Sequence, residues 1–243
     1  MPNPQDHESP KGRLFVVATP IGNLEDITLR ALRVLREVSA IACEDTRQTR
    51  KLLAAYNIKK RLISYFHPRE RQKMPLILSL LHQGQDVALV TDAGTPGISD
   101  PGYPLIREAL MQGIRVVPIP GPSAVTAALS ASGLPTHRFV FLSFPSPKRE
   151  AGKKLLESVK GEPGTLIFFL PARRLKTTLN LVREVLGDRS VVIAREITKI
   201  HEEFTRKKIS EVLRTLEERA LRGELTLLVQ GTAKKPSRPD PSG

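Results

Sequence analysis

Residues Thr91 to Gly102 read Thr-Asp-Ala-Gly-Thr-Pro-Gly-Ile-Ser-Asp-Pro-Gly, a short run holding two carboxylates, three hydroxyls and three glycines. Glycines let backbone amides approach a ligand closely, and prolines hold a loop in one shape without help from side chains. The same composition also suits a surface turn with helix-capping side chains. A second cluster, Glu44-Asp45-Thr46-Arg47, offers two carboxylates. They can act as a general base or orient a hydroxyl, unless they are spent on an ion pair with Arg47. Arg195-Glu196, with Lys199, carries the same ambiguity. A third cluster, Pro120-Gly121-Pro122, runs into the small residues Ser123 and Ala124.

The elements around these clusters set where they can sit. The apolar run Val87-Ala88-Leu89-Val90 leads into the Thr91–Gly102 loop, and Tyr103 to Leu110 follows with apolar residues at helical spacing. Strands are expected at Leu14–Ala18, Ile41–Cys43, Leu62–Tyr65 and Arg115–Ile119. Helices are expected from Ile27 to Val38, capped by Asp26 or Thr28, around Leu52, from Arg69 to His82, and from Ala124 to Ala131. This alternation indicates a parallel sheet with crossover helices. The loops around Pro20, Asp92 and Gly121 all follow strands, so they should gather at one sheet edge, where open α/β sheets bind ligands. Ser132 to Thr136 reads as a linker between a domain at 12–132 and a second α/β domain at 133–231. Strands of the second domain are expected at Phe139–Leu142, Thr165–Phe169, Ser190–Ala194 and Leu225–Val229, with helices around Leu155, Leu179 and Leu213. Polar, Pro-rich tails at 1–11 and 232–243 are expected to be disordered.

Composition narrows the function classes. The chain has 243 residues, enough to bury one large α/β core or two smaller ones. No segment approaches the roughly 18 apolar residues of a membrane span, and the N-terminus has no apolar signal segment. One cysteine, Cys43, forms no internal disulfide, and no Cys/His cluster has metal-ligand spacing. A cytoplasmic protein without a metal or a membrane partner is expected. Thirty-eight Lys and Arg against 25 Asp and Glu give a net charge of +13, which favours a polyanionic partner such as nucleic acid. There is no tryptophan and no aromatic-basic stripe, which argues against single-strand binding by base stacking. His67 and His201 read as structural or surface residues.

No G-x-G-x-x-G follows the first strand, and no P-loop, H-E-x-x-H or G-x-S-x-G is present. Three Pro/Gly loops without a phosphate cradle suit a ligand that carries no phosphate, such as S-adenosylmethionine. Ala18-Thr19-Pro20-Ile21-Gly22-Asn23-Leu24-Glu25-Asp26-Ile27-Thr28, Glu44–Arg47, Thr91–Gly102 and Pro118-Ile119-Pro120-Gly121-Pro122-Ser123-Ala124 occur in that order. Together they resemble the tetrapyrrole-methylase superfamily, and more narrowly the ribosomal RNA small subunit methyltransferase I family. The resemblance covers about residues 12 to 231. It implies two α/β domains of the class III methyltransferase type with S-adenosylmethionine in a cleft between them, usually as a homodimer. The implied reaction is 2′-O-methylation of a cytidine (cytidine 1402 in that family) in the decoding region of 16S rRNA on the small ribosomal subunit.

On this resemblance, cofactor contacts are expected from Pro20, Asp92, Ala93, Gly94, Thr95, Ile98, Ser99, Asp100, Ser123, Ala124 and Thr226. Glu44 and Asp45 are the catalytic candidates. RNA contacts are expected among Arg47, Arg69, Arg71, Lys148, Arg149, Arg174, Arg195 and Lys199, although each taken alone also suits a solvated face. The second half departs from the family pattern. Ser143–Lys148 stands where relatives often have Gly-Phe-Leu-Pro, Leu170 where a glutamate is usual, and Gln230 where a glutamate commonly precedes the final glycine. Two other readings stay open: a methylase of a tetrapyrrole intermediate, and a non-catalytic RNA- or ribosome-binding relative.

Overall fold

The computed structural model describes residues 10–68, 70–216 and 223–232. The expected tails at 1–11 and 232–243 fall almost wholly outside them. Contacts divide the chain into two units, residues 1–123 and 124–243.

The first unit is a five-stranded sheet built from β1 (Leu14–Val17), β2 (Ala40–Cys43), β3 (Arg61–Ser64), β4 (Val87–Val90) and β5 (Val116–Ile119), in the order β3-β2-β4-β1-β5. Every pairing is parallel. The strands are short apolar runs, and β2 and β4 are buried along their whole length, as expected where helices cover both faces of a sheet. Helices α1 (Leu29–Glu37) and α2 (Thr46–Ala55) pack on one face, with Leu32, Leu35 and Leu53 against Val17, Ile41 and Val90. Helices α3 (Glu70–His82) and α4 (Tyr103–Met111) cover the other, with Ile77, Leu81 and Leu105 against Leu14, Ala42 and Leu89. Of the two caps foreseen for α1, Thr28 is the one used: its hydroxyl accepts the Ala31 amide at 3.1 Å. α3 is assigned from Glu70, and Arg69 itself lies outside the described residues.

The second unit holds β6 (Phe139–Phe141), β7 (Thr165–Pro171), β8 (Ser190–Arg195), β9 (Glu203–Lys208) and β10 (Glu224–Val229), in the order β6-β7-β10-β8-β9. Only β6 and β7 pair parallel; the other three pairings are antiparallel. Helices α6 (Arg149–Ser158), α7 (Leu175–Leu186) and α8 (Ile209–Thr215) bury Leu156, Leu179 and Val212 against one face, beneath Phe168, Leu225 and Leu227. Helix α5 (Ala124–Ser130) packs Val125, Ala128 and Leu129 on the other face, against Ile167, Val192 and Leu228.

Two features differ from the sequence reading. α5 belongs with the second unit, so contacts divide at Ser123–Ala124 rather than after Ser132. Its apolar residues face Leu228 and Ile167, a long-range match that local composition does not reveal. Strand β9 was not foreseen: Glu-Phe-Thr-Arg-Lys-Lys has little apolar content, and an edge strand paired on one side only needs little.

Leu35 is fully buried whereas Leu29 on the same helix is 86% exposed. Leu35→Ala is therefore expected to lower the urea-unfolding free energy by about 2–5 kcal/mol. Leu29→Ala should change it by less than about 0.5 kcal/mol.

Candidate active site

The strand order places a topological switch point between β1 and β4. The chain leaves β1 toward β2, passing β4, and leaves β4 toward β5, passing β1. The helices that follow, α1 and α4, accordingly lie on opposite faces. Where neighbouring parallel strands send their connections to opposite sides, a crevice opens beyond their carboxyl ends. The loops after β1, β2, β4 and β5 all emerge at this edge, so the three loops singled out in the sequence do share one edge.

Past the end of the ladder the β1 and β4 loops are hooked together. The Thr19 amide donates to the Gly94 carbonyl at 2.9 Å, and the Gly94 amide returns to the Thr19 carbonyl at 3.0 Å. The buried Thr19 hydroxyl donates to the Thr91 carbonyl at 3.0 Å. Gly94 has φ +86°, a region that side chains disfavour. At Gly121 a Cβ would meet the Ala18 Cβ at 3.0 Å, so the β5 loop passes close over the end of β1. The Thr95 hydroxyl reaches the Pro122 carbonyl at 3.5 Å.

These contacts leave Asp92 and Ala93 exposed, with Gly94 buried beneath them and Thr95 half-buried. Ile98 and Ser99 are exposed farther along, Asp100 and Pro20 are half-buried, and Ser99 has φ +67°. Ser123 closes the first unit and Ala124 opens α5 of the second. Thr226 is buried on β10, two residues before Leu228 and so on the face that α5 covers. The first-unit residues of the expected cofactor set thus gather at one edge, while Ala124 and Thr226 lie in the second unit.

Beside the switch point lies an open cavity of about 420 Å³ lined by Glu44, Asp45, Arg47, Ser64, His67 and Asp92, among others. The Asp45 amide donates to Asp92 Oδ1 at 3.1 Å, and the Thr91 hydroxyl donates to Glu44 Oε2 at 2.8 Å. Asp45 also caps α2 by accepting the Arg47 amide at 2.7 Å, and it binds the Arg47 guanidinium through both oxygens. The ion pair that the sequence leaves open is therefore present. Hydrogen bonds from Arg47 hold the Asp45 carboxyl down at about 2. Asp92 is shifted upward, chiefly by partial desolvation of its carboxyl and further by the nearby Glu44 and Asp45 charges, against the opposing Asp45 amide.

Sequence reasoning missed Ser64, Phe66 and His67, which also line this cavity. The signal was available, since Ser64 ends β3 and Phe66 and His67 follow it, at the same edge as Glu44 and Asp92. His67 read as a structural or surface residue; it is exposed, and it is part of the cavity wall. Glu70 was missed as well. Its side chain is 5% exposed, it accepts the Gly102 amide at 3.1 Å, and it lies 3.4 Å from His67 Nε2.

Several expected RNA contacts have partners within the chain. Arg174 donates to the Pro145 and Ser146 carbonyls at 2.9 and 2.8 Å, so it braces a loop. Arg149 pairs with Glu184, Arg195 with Glu203 and Lys199 with Glu196. Arg47, Arg71 and Lys148 are exposed. Arg30 on α1, and Arg50 and Lys51 on α2, add exposed positive charge that the sequence reading did not single out, while Arg33 on α1 pairs with Glu37. Of the departures, Leu170 is fully buried in the core under α7, where a carboxylate would be desolvated. Gln230 is exposed, and its carbonyl accepts from Arg189.

The family model of the tetrapyrrole (corrin/porphyrin) methylases matches residues 13–213. Among solved structures, a uroporphyrin-III C-methyltransferase from Thermus thermophilus, complexed with S-adenyl homocysteine, superposes with a TM-score of 0.64. The match has 21% identity and covers 90% of this chain and 97% of that one. Among curated proteins, the ribosomal RNA small subunit methyltransferase I of Thermotoga maritima is 48% identical over 220 residues, covering 90% of this chain and 99% of that protein. The protein of the same name from Escherichia coli O157:H7 is 45% identical over 230 residues, covering 93% and 80%. With identity at this level running the length of both chains, this protein belongs to the ribosomal RNA small subunit methyltransferase I family.

Proposed function

We propose that this chain methylates the 2′-hydroxyl of a cytidine ribose in the decoding region of 16S rRNA, using S-adenosylmethionine. The observation that carries the reading is identity of 45–48%, over 90–93% of this chain, to proteins named for methylation of small-subunit rRNA. The enzyme would work in the cytoplasm, as its composition suggests, and as a homodimer, as the family resemblance implies. Among the described residues no helix is long and apolar enough to cross a membrane.

The residues at the first-unit edge fit the cofactor. The end of α4 that would otherwise attract a phosphate is occupied, since Glu70 takes the Gly102 amide. Asp92, Glu44 and Asp45 instead place negative charge at the crevice, suited to a cationic sulfonium and amine. Exposed Ala93, on a loop pinned by the Thr19–Gly94 hook, offers backbone groups that stay fixed. When bound, S-adenosylmethionine supplies an electrophilic methyl group, and in-line transfer to oxygen depends on positioning.

Within the cavity, Asp45 is suited to orientation. Its capping and ion-pair bonds fix it, and a carboxyl held near 2 is a weak proton acceptor. Arg47, with most of its side chain exposed, can meet an RNA phosphate from the same site, and Arg50 and Lys51 extend that charge along α2. A tetrapyrrole acceptor remains the second reading on fold alone, and the net charge of +13 weighs against it.

Methyl-labelled S-adenosylmethionine incubated with small ribosomal subunits, free 16S rRNA and bulk tRNA tests the reading. Label is expected in small-subunit RNA, at a linkage resistant to alkaline cleavage. Cofactor binding without label in any RNA would redirect the search to small-molecule acceptors. A carboxyl NMR titration tests the electrostatics: Asp45 should titrate near 2 and Asp92 above the ordinary Asp range. Arg47→Ala should raise the Asp45 midpoint, because the bonds that favour its charged form are lost.

A further inference from the structure

Ribose methylation needs a group that takes the hydroxyl proton, and each cavity carboxylate already accepts at least one hydrogen bond. Asp45 is bound by Arg47 through both oxygens, Glu44 accepts the Thr91 hydroxyl, and Asp92 accepts the Asp45 amide. His67 differs from these. Its side chain is 84% exposed on the cavity wall, while its Nε2 lies 3.4 Å from Oε2 of a nearly buried carboxylate, Glu70. The other oxygen of Glu70 is held by the Gly102 amide at 3.1 Å, at the end of the Thr91–Gly102 loop. Glu70 is therefore fixed by the backbone on one side and faces a solvent-accessible imidazole on the other.

We infer that His67 is the proton acceptor for the ribose hydroxyl, and that Glu70 is the positioning residue that aims it. This rests on the ribose-methylation reading above. A carboxylate beside Nε2 favours the tautomer with the proton on that nitrogen, which leaves Nδ1 with its lone pair. In the step, the ribose oxygen bonds the methyl carbon as the carbon–sulfur bond breaks with its electron pair left on sulfur. The hydroxyl proton passes to His67 and from there to solvent. Glu70 on α3 lies beside the ring, and Glu44 and Asp45 at the end of β2, Asp92 after β4 and Arg47 on α2 line the same cavity. The Gly102 bond gives Glu70 a second effect, since the carboxylate that aims the histidine also fixes the end of the loop expected to hold the cofactor.

The test is methyl transfer to small-subunit RNA by the full chain, followed across pH, with S-adenosylhomocysteine affinity measured in parallel. His67→Asn alters an exposed side chain and should leave that affinity within about twofold. It should lower kcat by roughly 10²–10³-fold and remove the acid limb of the pH profile. Glu70→Gln keeps an acceptor for the Gly102 amide but loses the carboxylate that aims the ring, so kcat should fall by a smaller factor with the KM for RNA unchanged. His67→Asn with kcat within about threefold of wild type and an unchanged acid limb would overturn the inference, as would loss of that limb in Asp92→Asn alone. Absence of transfer by the wild-type protein would instead overturn the ribose-methylation reading itself.

Discussion

Two backbone hydrogen bonds between Thr19 and Gly94, at 2.9 and 3.0 Å, join the ends of neighbouring parallel strands after their regular ladder has stopped. Each contributes only about 0.5–1.5 kcal/mol, so their importance is geometric. β1 and β4 send their connections to opposite faces of the sheet, which by itself would let the two loops splay apart. The hook holds them together, and Gly94 permits it by adopting a positive φ. Asp92 and Ala93 are thereby presented at the edge, and the Gly121 loop closes over Ala18 beside them. The second anchor is Glu70, which ties the far end of the same loop to the segment after β3.

Those anchors let one small region carry two opposite demands. A sulfonium cofactor favours negative charge, and Glu44, Asp45 and Asp92 gather there; desolvation, with a lesser push from the other two charges, moves Asp92 upward. An RNA substrate favours positive charge. On the proposed reading Arg47 meets both, pairing with Asp45 while most of its own side chain remains exposed. The exposed basic residues of α1 and α2 continue from there, on the face of the sheet opposite α3 and α4.

Much of the first unit was legible in the sequence because its signals are local. Short apolar runs followed by Gly/Pro loops give buried parallel strands, and once the strands are parallel their loops must share an edge. What stayed hidden depends on long-range pairing. The residues of β9 read as a polar segment and become a strand only by pairing with β8. α5 looked like the last helix of the first unit until its apolar face met Leu228. Arg174 looked like an RNA contact, but its guanidinium is spent on the Pro145 and Ser146 carbonyls. The place of His67 and Glu70 after β3 was legible, but the cavity wall and the Gly102 amide that give them chemistry come from other segments.

Amide hydrogen exchange of the intact protein, with and without S-adenosylhomocysteine, tests most directly the claim that the β1–β4 switch-point edge holds the cofactor. Slowed exchange concentrated at residues 91–102 and in the loop around Gly121 is the expected result. Binding that leaves both segments unprotected would contradict it.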